Sequence, residues 1–277
     1  ITGTIGGTDL RQLGGLTINS SSGSGTIEVA DIGVSNTNAG VDGDVTIGNS
    51  STTTITFDGS LYSVGDANTH DILVKSASGE NIQFTKGAAV EVVTVGGGTI
   101  TFNNGSDAGS IYLAASTPLT INSKGGAIDI ASVYGVFSGD NDLTINADST
   151  ATSTTETIKI GAIGDVNEIG AVTLDAADGI TLTGDIDTSN VDGSDLDING
   201  PVFISGDVTI KTDNPNHDGT INFSSTIDGV TESTPVADNL RILAGDSSGA
   251  SGGSLTITGN IGDAEPLTTL QINAGSG

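Results

Sequence analysis

Triplets in which one polar residue separates two apolar residues recur along the whole chain. Threonine is a frequent middle residue, as in Leu119-Thr120-Ile121 and Leu143-Thr144-Ile145. Because side chains alternate between the two faces of a β-strand, each triplet predicts a short strand with its outer residues buried and its middle residue exposed. The predicted strands lie at residues 16–18, 45–47, 55–57, 72–74, 100–102, 119–121, 128–130, 143–145, 158–160, 172–174, 180–182, 196–198, 208–210, 221–223, 240–242 and 255–257.

The segments between the triplets carry turn signals and no helical pattern. Asp-Gly and Asn-Gly pairs are frequent there, as at 42–43, 104–105 and 228–229. These residues tolerate the positive φ that sharp corners need. Every segment with apolar residues near helical spacing also contains a glycine or a cluster of β-branched residues, which lowers its helix propensity. We therefore expect an all-β protein with essentially no helix.

One phrase occurs three times and consists of an Ile-Gly pair, a polar loop and a further apolar triplet. Its three Ile-Gly pairs are at residues 5–6, 163–164 and 261–262. Self-similarity of this kind marks a repeat architecture, in which each unit stacks on its neighbours because it cannot bury its apolar face alone. We expect one continuous repetitive segment over residues 1–277, and we interpret it as a window or a unit of a longer repeat protein.

Two all-β arrangements fit these observations. Tandem β-sandwich modules would show longer strands and usually an aromatic core anchor. The predicted strands here are short, and aromatic residues make up 3% of the chain. Short strands with small corner residues favour a parallel β-helix, that is, a β-solenoid with two or three strands in each turn. Tandem sandwiches remain the alternative.

Composition excludes several classes of protein. The chain has 34 Asp and Glu against 7 Lys and Arg, a formal charge of −27, whereas a nucleic-acid binder needs a basic face. No apolar stretch approaches the roughly 20 residues of a membrane-spanning helix, so we expect no membrane insertion. The chain contains no Cys, so its stability does not depend on disulfides. Hydrophobic residues make up 35% of the chain, which argues against disorder.

The segments 226–245 and 259–275 resemble the β-strand repeats of very long bacterial surface proteins similar to filamentous haemagglutinin. They contain Thr226-Ile227-Asp228-Gly229, Leu240-Arg241-Ile242-Leu243-Ala244-Gly245 and Leu270-Gln271-Ile272-Asn273-Ala274-Gly275. The resemblance extends in style over nearly the whole chain, through motifs rich in Gly, Thr and Asn. It implies a right-handed parallel β-helix, export, and a role in adhesion or extracellular fibres. It implies no catalytic residues.

Two acidic loops are candidates for calcium binding, because calcium prefers oxygen ligands on a tight loop. The candidate ligands are Asp192, Asp195, Asp197, Asp213, Asn216 and Asp218. The second loop partly matches an EF-hand loop, but the twelfth position counted from Asn214 is Ser225, which has no carboxylate. Asp and Asn are also ordinary corner residues, so the alternative is a purely structural role. We predict no resident cofactor other than calcium.

Three tyrosines outside the main apolar period are candidates for glycan binding, since an exposed aromatic ring can stack on a sugar. They are Tyr62, Tyr112 and Tyr134. A glycan-cleaving enzyme would need clustered carboxylates beside Lys, Arg or His, and the cations of this chain are single and scattered. We therefore predict no catalytic residues.

These observations predict a structural and adhesive module that acts as a rod or filament-forming segment at the cell surface or outside the cell. Its expected partners are further copies or further repeats of itself, joined end to end, and surface glycans. A calcium- or glycan-binding adhesin module is the alternative, and a glycan-processing enzyme ranks below both.

Overall fold

Three walls of stacked parallel strands enclose one apolar interior. The computed structural model describes residues 1–6, 13–19, 25–35, 40–65, 69–103, 109–135, 141–148, 155–164, 167, 169–189, 194–213, 218–231, 237–245 and 253–274. All strand pairs in these ranges are parallel, and the chain forms a β-solenoid of about seven turns. No helix occurs within these ranges, and so none that could span a membrane. The predicted all-β solenoid is confirmed, and the sandwich alternative is not adopted.

Each full turn of the chain passes through the three walls in the same order. Wall 1 contains β1 (Leu16–Ile18), β3 (Val45–Ile47), β6 (Ile72–Val74), β9 (Ile100–Phe102), β16 (Gly179–Leu182), β19 (Val202–Ile204) and β22 (Ile227–Gly229). Wall 2 contains β2 (Gly25–Val29), β4 (Thr52–Phe57), β7 (Asn81–Phe84), β10 (Ser110–Leu113), β17 (Ile186–Asp187), β20 (Asp207–Lys211), β23 (Asn239–Gly245) and β25 (Thr269–Ala274).

Wall 3 is a separate 8-stranded sheet. It contains β5 (Leu61–Val64), β8 (Val90–Thr94), β11 (Leu119–Asn122), β13 (Leu143–Asn146), β15 (Val172–Asp175), β18 (Leu196–Asn199), β21 (Ile221–Phe223) and β24 (Leu255–Ile257). Two longer strands, β12 (Ile128–Gly135) and β14 (Thr157–Ile163), run through walls 1 and 2 without interruption and join them into one 17-stranded sheet.

The outer residues of the predicted triplets form the core. Leu143 and Ile145 of β13 are fully buried, whereas Thr144 between them is partly exposed. Aromatic rings strengthen the interior near its amino-terminal end, where Phe57 stacks on Phe84 at 4.9 Å between ring centroids. Burial of each such apolar side chain contributes about 1.5–3 kcal/mol, and adjacent turns share these contacts.

Aspartates at the corners join successive turns. The backbone N–H of Ala171 donates to Oδ1 of Asp142 at 2.9 Å, one turn back, and the N–H of Thr220 donates to Oδ1 of Asp195 at 2.7 Å. Asp71 accepts from Thr99 in the same way at 2.7 Å. These carboxylates supply charged acceptors to backbone N–H groups of the next turn, and a hydrogen bond to an ionised acceptor is stronger than a neutral one. Part of the acidic composition therefore has a structural cause.

The repeated phrase is a corner unit that is used at all three corners. Gly6, Gly164 and Gly262 have φ values of +77°, +72° and +68°, a conformation that favours glycine. Their preceding isoleucines nevertheless lie in different walls, because the strands that follow are β1 in wall 1, β15 in wall 3 and β25 in wall 2. The phrase thus specifies a local bend and does not specify a position within the turn.

Candidate functional site

A groove of about 430 Å³ lies on the outer surface where β12 and β14 bend from wall 1 into wall 2. Strict alternation of buried and exposed residues is interrupted at this bend, because Ala131 and Ser132 are both partly exposed and so are Gly161 and Ala162. Thr183 and Gly184, in the following turn, extend the lining. The concave surface is therefore a product of two strands that bend without a connecting loop.

Small residues at the bend allow adjacent turns to approach closely. A Cβ atom added to Gly161 would lie 1.8 Å from the carbonyl oxygen of Ala131, and one added to Gly184 would lie 2.6 Å from the backbone nitrogen of Ala162. Both distances are shorter than any tolerable contact, so larger residues would force the neighbouring backbones apart. Glycine is needed here for close approach of the turns, and the resulting floor is shallow and consists largely of backbone.

One side of the groove carries two opposite charges. Asp129 and Lys159 are register partners on adjacent strands β12 and β14, each at the middle position of its triplet. Burial raises the pKa of the Asp129 carboxyl, and the positive charge of Lys159 acts in the opposite direction. The groove thus holds a carboxylate that accepts hydrogen bonds beside an exposed ammonium group that donates them.

The ring of Tyr134 lines the groove further along β12, and the ring of Tyr112 lies beside it. Tyr112 of β10 and Tyr134 of β12 are register partners, and their ring centroids are 5.8 Å apart with 59° between the ring planes. Both side chains are partly exposed, and Tyr134 lines the groove. Beside them, the hydroxyl of Ser132 donates to the hydroxyl of Ser110 at 2.8 Å and links the same two strands. The structure therefore places two of the three predicted glycan-binding tyrosines together.

The third predicted tyrosine, Tyr62, is buried, and its assignment to a glycan site was wrong. Its side chain is 3% exposed and packs edge-on against Phe57 at 4.8 Å. Its hydroxyl donates to the carbonyl of Val29 at 3.1 Å and accepts from the N–H of Gly59 at 2.7 Å. The sequence did contain a signal for burial, because Tyr62 and Val64 are two residues apart on β5 and so point to the same face of the strand.

The predicted calcium ligands do not converge among the residues that can be placed. Asp192 and Asn216 lie outside the described ranges. Asp195 holds the N–H of Thr220, and Asp218 accepts the N–H of Gly253 at 3.4 Å. Within the ranges given above, no group of three or more His, Cys, Asp or Glu side chains is arranged to hold a metal ion. The two remaining candidates, Asp197 and Asp213, lie within the described ranges and belong to no such group.

A separate carboxyl pair lies at a corner of wall 3. Asp175 is close enough to Asp148 to share a hydrogen bond, and Asp148 also accepts the N–H of Ala177 at 2.6 Å. Burial, and after it the charge of Asp148, raises the pKa of Asp175 to about 6. Asp175 occupies a register position held by Asn146 and Asn199 in the adjacent turns. The pair therefore interrupts an asparagine ladder.

Searches against protein-family models, curated proteins and solved structures found no match for this chain. Function must therefore be inferred from the residues themselves.

Sequence reasoning missed Asp129, Lys159 and Thr183 as members of one site. A usable signal was present in two of them, because a charged residue replaces the usual threonine in Ile128-Asp129-Ile130 and Ile158-Lys159-Ile160. Their proximity depends on the register between β12 and β14, two strands that are separated along the chain by β13.

Proposed function

We propose that this chain is a structural and adhesive module, a rod or filament-forming segment that works outside the cell or at its surface and has no catalytic role. One observation supports the proposal above all others: successive turns are joined by the same contacts throughout. Parallel ladders join successive turns in each of the three walls, and corner aspartates accept hydrogen bonds from the next turn. Such a structure can be lengthened by one turn without any new kind of contact.

In this architecture, the length of the rod depends on the number of turns that are stacked. Strands in a sheet are about 4.8 Å apart, so the eight strands of wall 3 extend roughly 34 Å along the axis. The turns differ in length, since many more residues separate Ile221 from its register partner Leu255 than separate Ile158 from Ile180. The ladders tolerate this variation because the extra residues are placed between the strands. A rod of this type can present diverse loops on a constant frame.

The edge strand β25 suggests the partner. It pairs with β23 on one side, and its apolar residues Leu270 and Ile272 are 39% and 45% exposed. The equivalent residues Leu240 and Ile242 of β23 are buried under β25. We propose that this edge is covered by a further turn, supplied either by the same polypeptide or by a second copy of the chain, a contact that does not close and so extends a filament.

Self-association at rising concentration tests this proposal. We expect light scattering to show particles that grow with concentration and electron microscopy to show thin filaments. Ile272→Asp should shorten or abolish them, because it places a charge in the proposed contact. Gln271→Asp is the matched control, since Gln271 is the neighbouring residue and faces the outer surface of wall 2 with Arg241. A compact monomer at all concentrations would contradict the proposal.

A glycan-binding adhesin is the second candidate, and the groove at the bend favours it. Cleavage of a glycosidic bond ordinarily requires two carboxyl groups on opposite sides of the bond. The residues that line the groove include one carboxylate, that of Asp129. The lining therefore supports binding of a sugar better than its hydrolysis.

A further inference from the structure

We propose that the groove at the bend of β12 and β14 binds an uncharged oligosaccharide between the tyrosine pair and the charged pair. The inference rests on the adhesive role proposed above and deepens it by naming the site and the class of ligand. It is built on Tyr112, Tyr134, Asp129, Lys159 and Thr183.

The tyrosine pair provides the apolar contact that a sugar ring needs. A pyranose ring has an apolar face of C–H groups and a rim of hydroxyls, so it packs on an aromatic face while its hydroxyls stay accessible. Tyr112 and Tyr134 hold each other at 5.8 Å, and each is anchored on a paired strand. Their rings are therefore ordered before a ligand arrives, which lowers the entropic cost of binding.

The charged pair and Thr183 provide hydrogen bonds of both directions. The Asp129 carboxylate can accept from two sugar hydroxyls and the Lys159 ammonium can donate. The Thr183 hydroxyl donates to the carbonyl of Ile160 at 3.1 Å, so it can accept from a sugar hydroxyl. A rim of sugar hydroxyls presents alternating donors and acceptors, and this set of side chains matches it. The shallow floor at Gly161 and Gly184 allows the ligand to approach the backbone closely.

The size of the groove favours a chain over a single sugar. The lining residues lie on β12 and β14 and just after β16, and Tyr112 on β10 extends this surface to four successive strands, about 14 Å along the axis. The volume of about 430 Å³ falls within the usual range for small-ligand sites.

The charges of the groove and of the whole chain favour an uncharged ligand over an anionic one. Within the lining, Asp129 and Lys159 balance each other, while the whole chain carries −27. A sulfated or uronate-containing glycan would approach against this field, and its approach would be disfavoured at low ionic strength.

A printed array of linear hexasaccharides tests the proposal. The probes are cello-, malto-, xylo- and chito-oligosaccharides as neutral chains, with heparin and polygalacturonate hexasaccharides as anionic ones. We expect the wild-type chain to bind at least one neutral probe, and calorimetry with that probe should show about a tenfold or larger loss of affinity in Tyr134→Ala and in Asp129→Ala. Thr144→Ala, on wall 3 and remote from the groove, should bind as the wild type does.

Three outcomes would overturn the proposal: no binding to any neutral probe, stronger binding to the anionic probes, or binding that is unchanged in both groove variants. Thermal midpoints of the variants show whether a lost signal reflects unfolding, and Tyr134→Phe, which retains the ring, should keep most of the affinity if the fold and the site are intact. Microscopy of the same samples separates the two proposals. Filaments without glycan binding would contradict the groove alone, and glycan binding by a permanent monomer would contradict the filament alone.

Discussion

Wall 3 and the bend between walls 1 and 2 follow the same strand pattern but present different surfaces. On wall 3, like residues occupy successive turns, as in Thr120, Thr144 and Thr173. At the bend, unlike residues are neighbours, and Asp129 of β12 is paired with Lys159 of β14. The first surface is a ladder of similar side chains and the second is a concave groove.

The difference shows how one scaffold carries both a uniform surface and a varied one. Wall 3 presents the same polar side chain on three successive turns, so that part of its surface is uniform. At the bend, glycine and alanine remove bulk from the floor, and substituted middle positions introduce charge. The groove arises where the repeat is interrupted in two ways, by small residues along the strand and by charged residues on adjacent strands.

The largest expected effect is on the interior of wall 3. Ile145→Asp would place an unpaired charge at a fully buried position, and we expect a loss of more than about 4 kcal/mol, enough to unfold the turns around β13. Thr144→Asp, one residue away on the outer face, should change stability by no more than about 0.5–1 kcal/mol. Chemical denaturation followed by circular dichroism measures both. Equal losses would show that the assigned faces of β13 are wrong.

That contrast also marks what could be predicted from the sequence. The triplet pattern identified the strands and the buried face, because period-two alternation is a local property of the chain. Leu119–Asn122 and Leu143–Asn146 lie where the triplets placed them. The phrase around Gly6, Gly164 and Gly262 was also recognised, since positive φ has a local sequence signature.

The groove could not be predicted from the local pattern of the sequence. The pairing of Asp129 with Lys159 depends on the register between β12 and β14, which are separated along the chain by β13, and the turns of this chain are unequal in length. For the same reason, the sequence did not show that Tyr112 and Tyr134 would be neighbours. Tyr62 was misassigned because residues 61–64 were not among the predicted strands, although Tyr62 alternates with the buried Val64 on β5.

The next largest effect concerns the floor of the bend. Gly161→Ala would force its Cβ against the carbonyl oxygen of Ala131, and we expect a loss of about 1–3 kcal/mol together with a distorted groove. Gly14→Ala is the matched control, because a Cβ at Gly14 meets no atom within 4 Å and should change stability by less than about 0.5 kcal/mol. Thermal denaturation of the two variants checks this. Similar midpoints would show that the turns at the bend are not in close contact.

A smaller effect is expected at the carboxyl pair of wall 3. The pKa of Asp175 is raised to about 6 from an ordinary value of 3.8, so the folded protein holds this proton more tightly than the unfolded chain does. Stability should therefore fall as pH rises from about 4 through 6, and this contribution is restored on acidification. Asp175→Asn removes the penalty and continues the asparagine ladder with Asn146 and Asn199.

Because Asp175 is partly exposed, solvent screening limits the gain in Asp175→Asn to about 0.5–1 kcal/mol at neutral pH. Asp197→Asn, in the adjacent turn of the same wall, is the control. It also removes one charge from the net −27, but Asp197 is not part of the Asp148–Asp175 pair. Thermal midpoints should be measured from pH 4 to pH 8. If both variants gain equally at every pH, general charge repulsion explains the effect and the pair has no special role.

The smallest effect should come from divalent cations, and it distinguishes a dedicated calcium site from general screening. Asp195 and Asp218 are engaged by backbone N–H groups of the next turn, and the parts of the chain that can be placed contain no metal-binding cluster. The net charge of −27 still favours any cation that binds the folded form. We expect calcium and magnesium at equal ionic strength to raise the thermal midpoint by the same small amount, and chelation to leave the chain folded. A clearly larger rise with calcium, lost in the double variant Asp195→Asn and Asp218→Asn, would contradict this expectation and assign a calcium site to these loops.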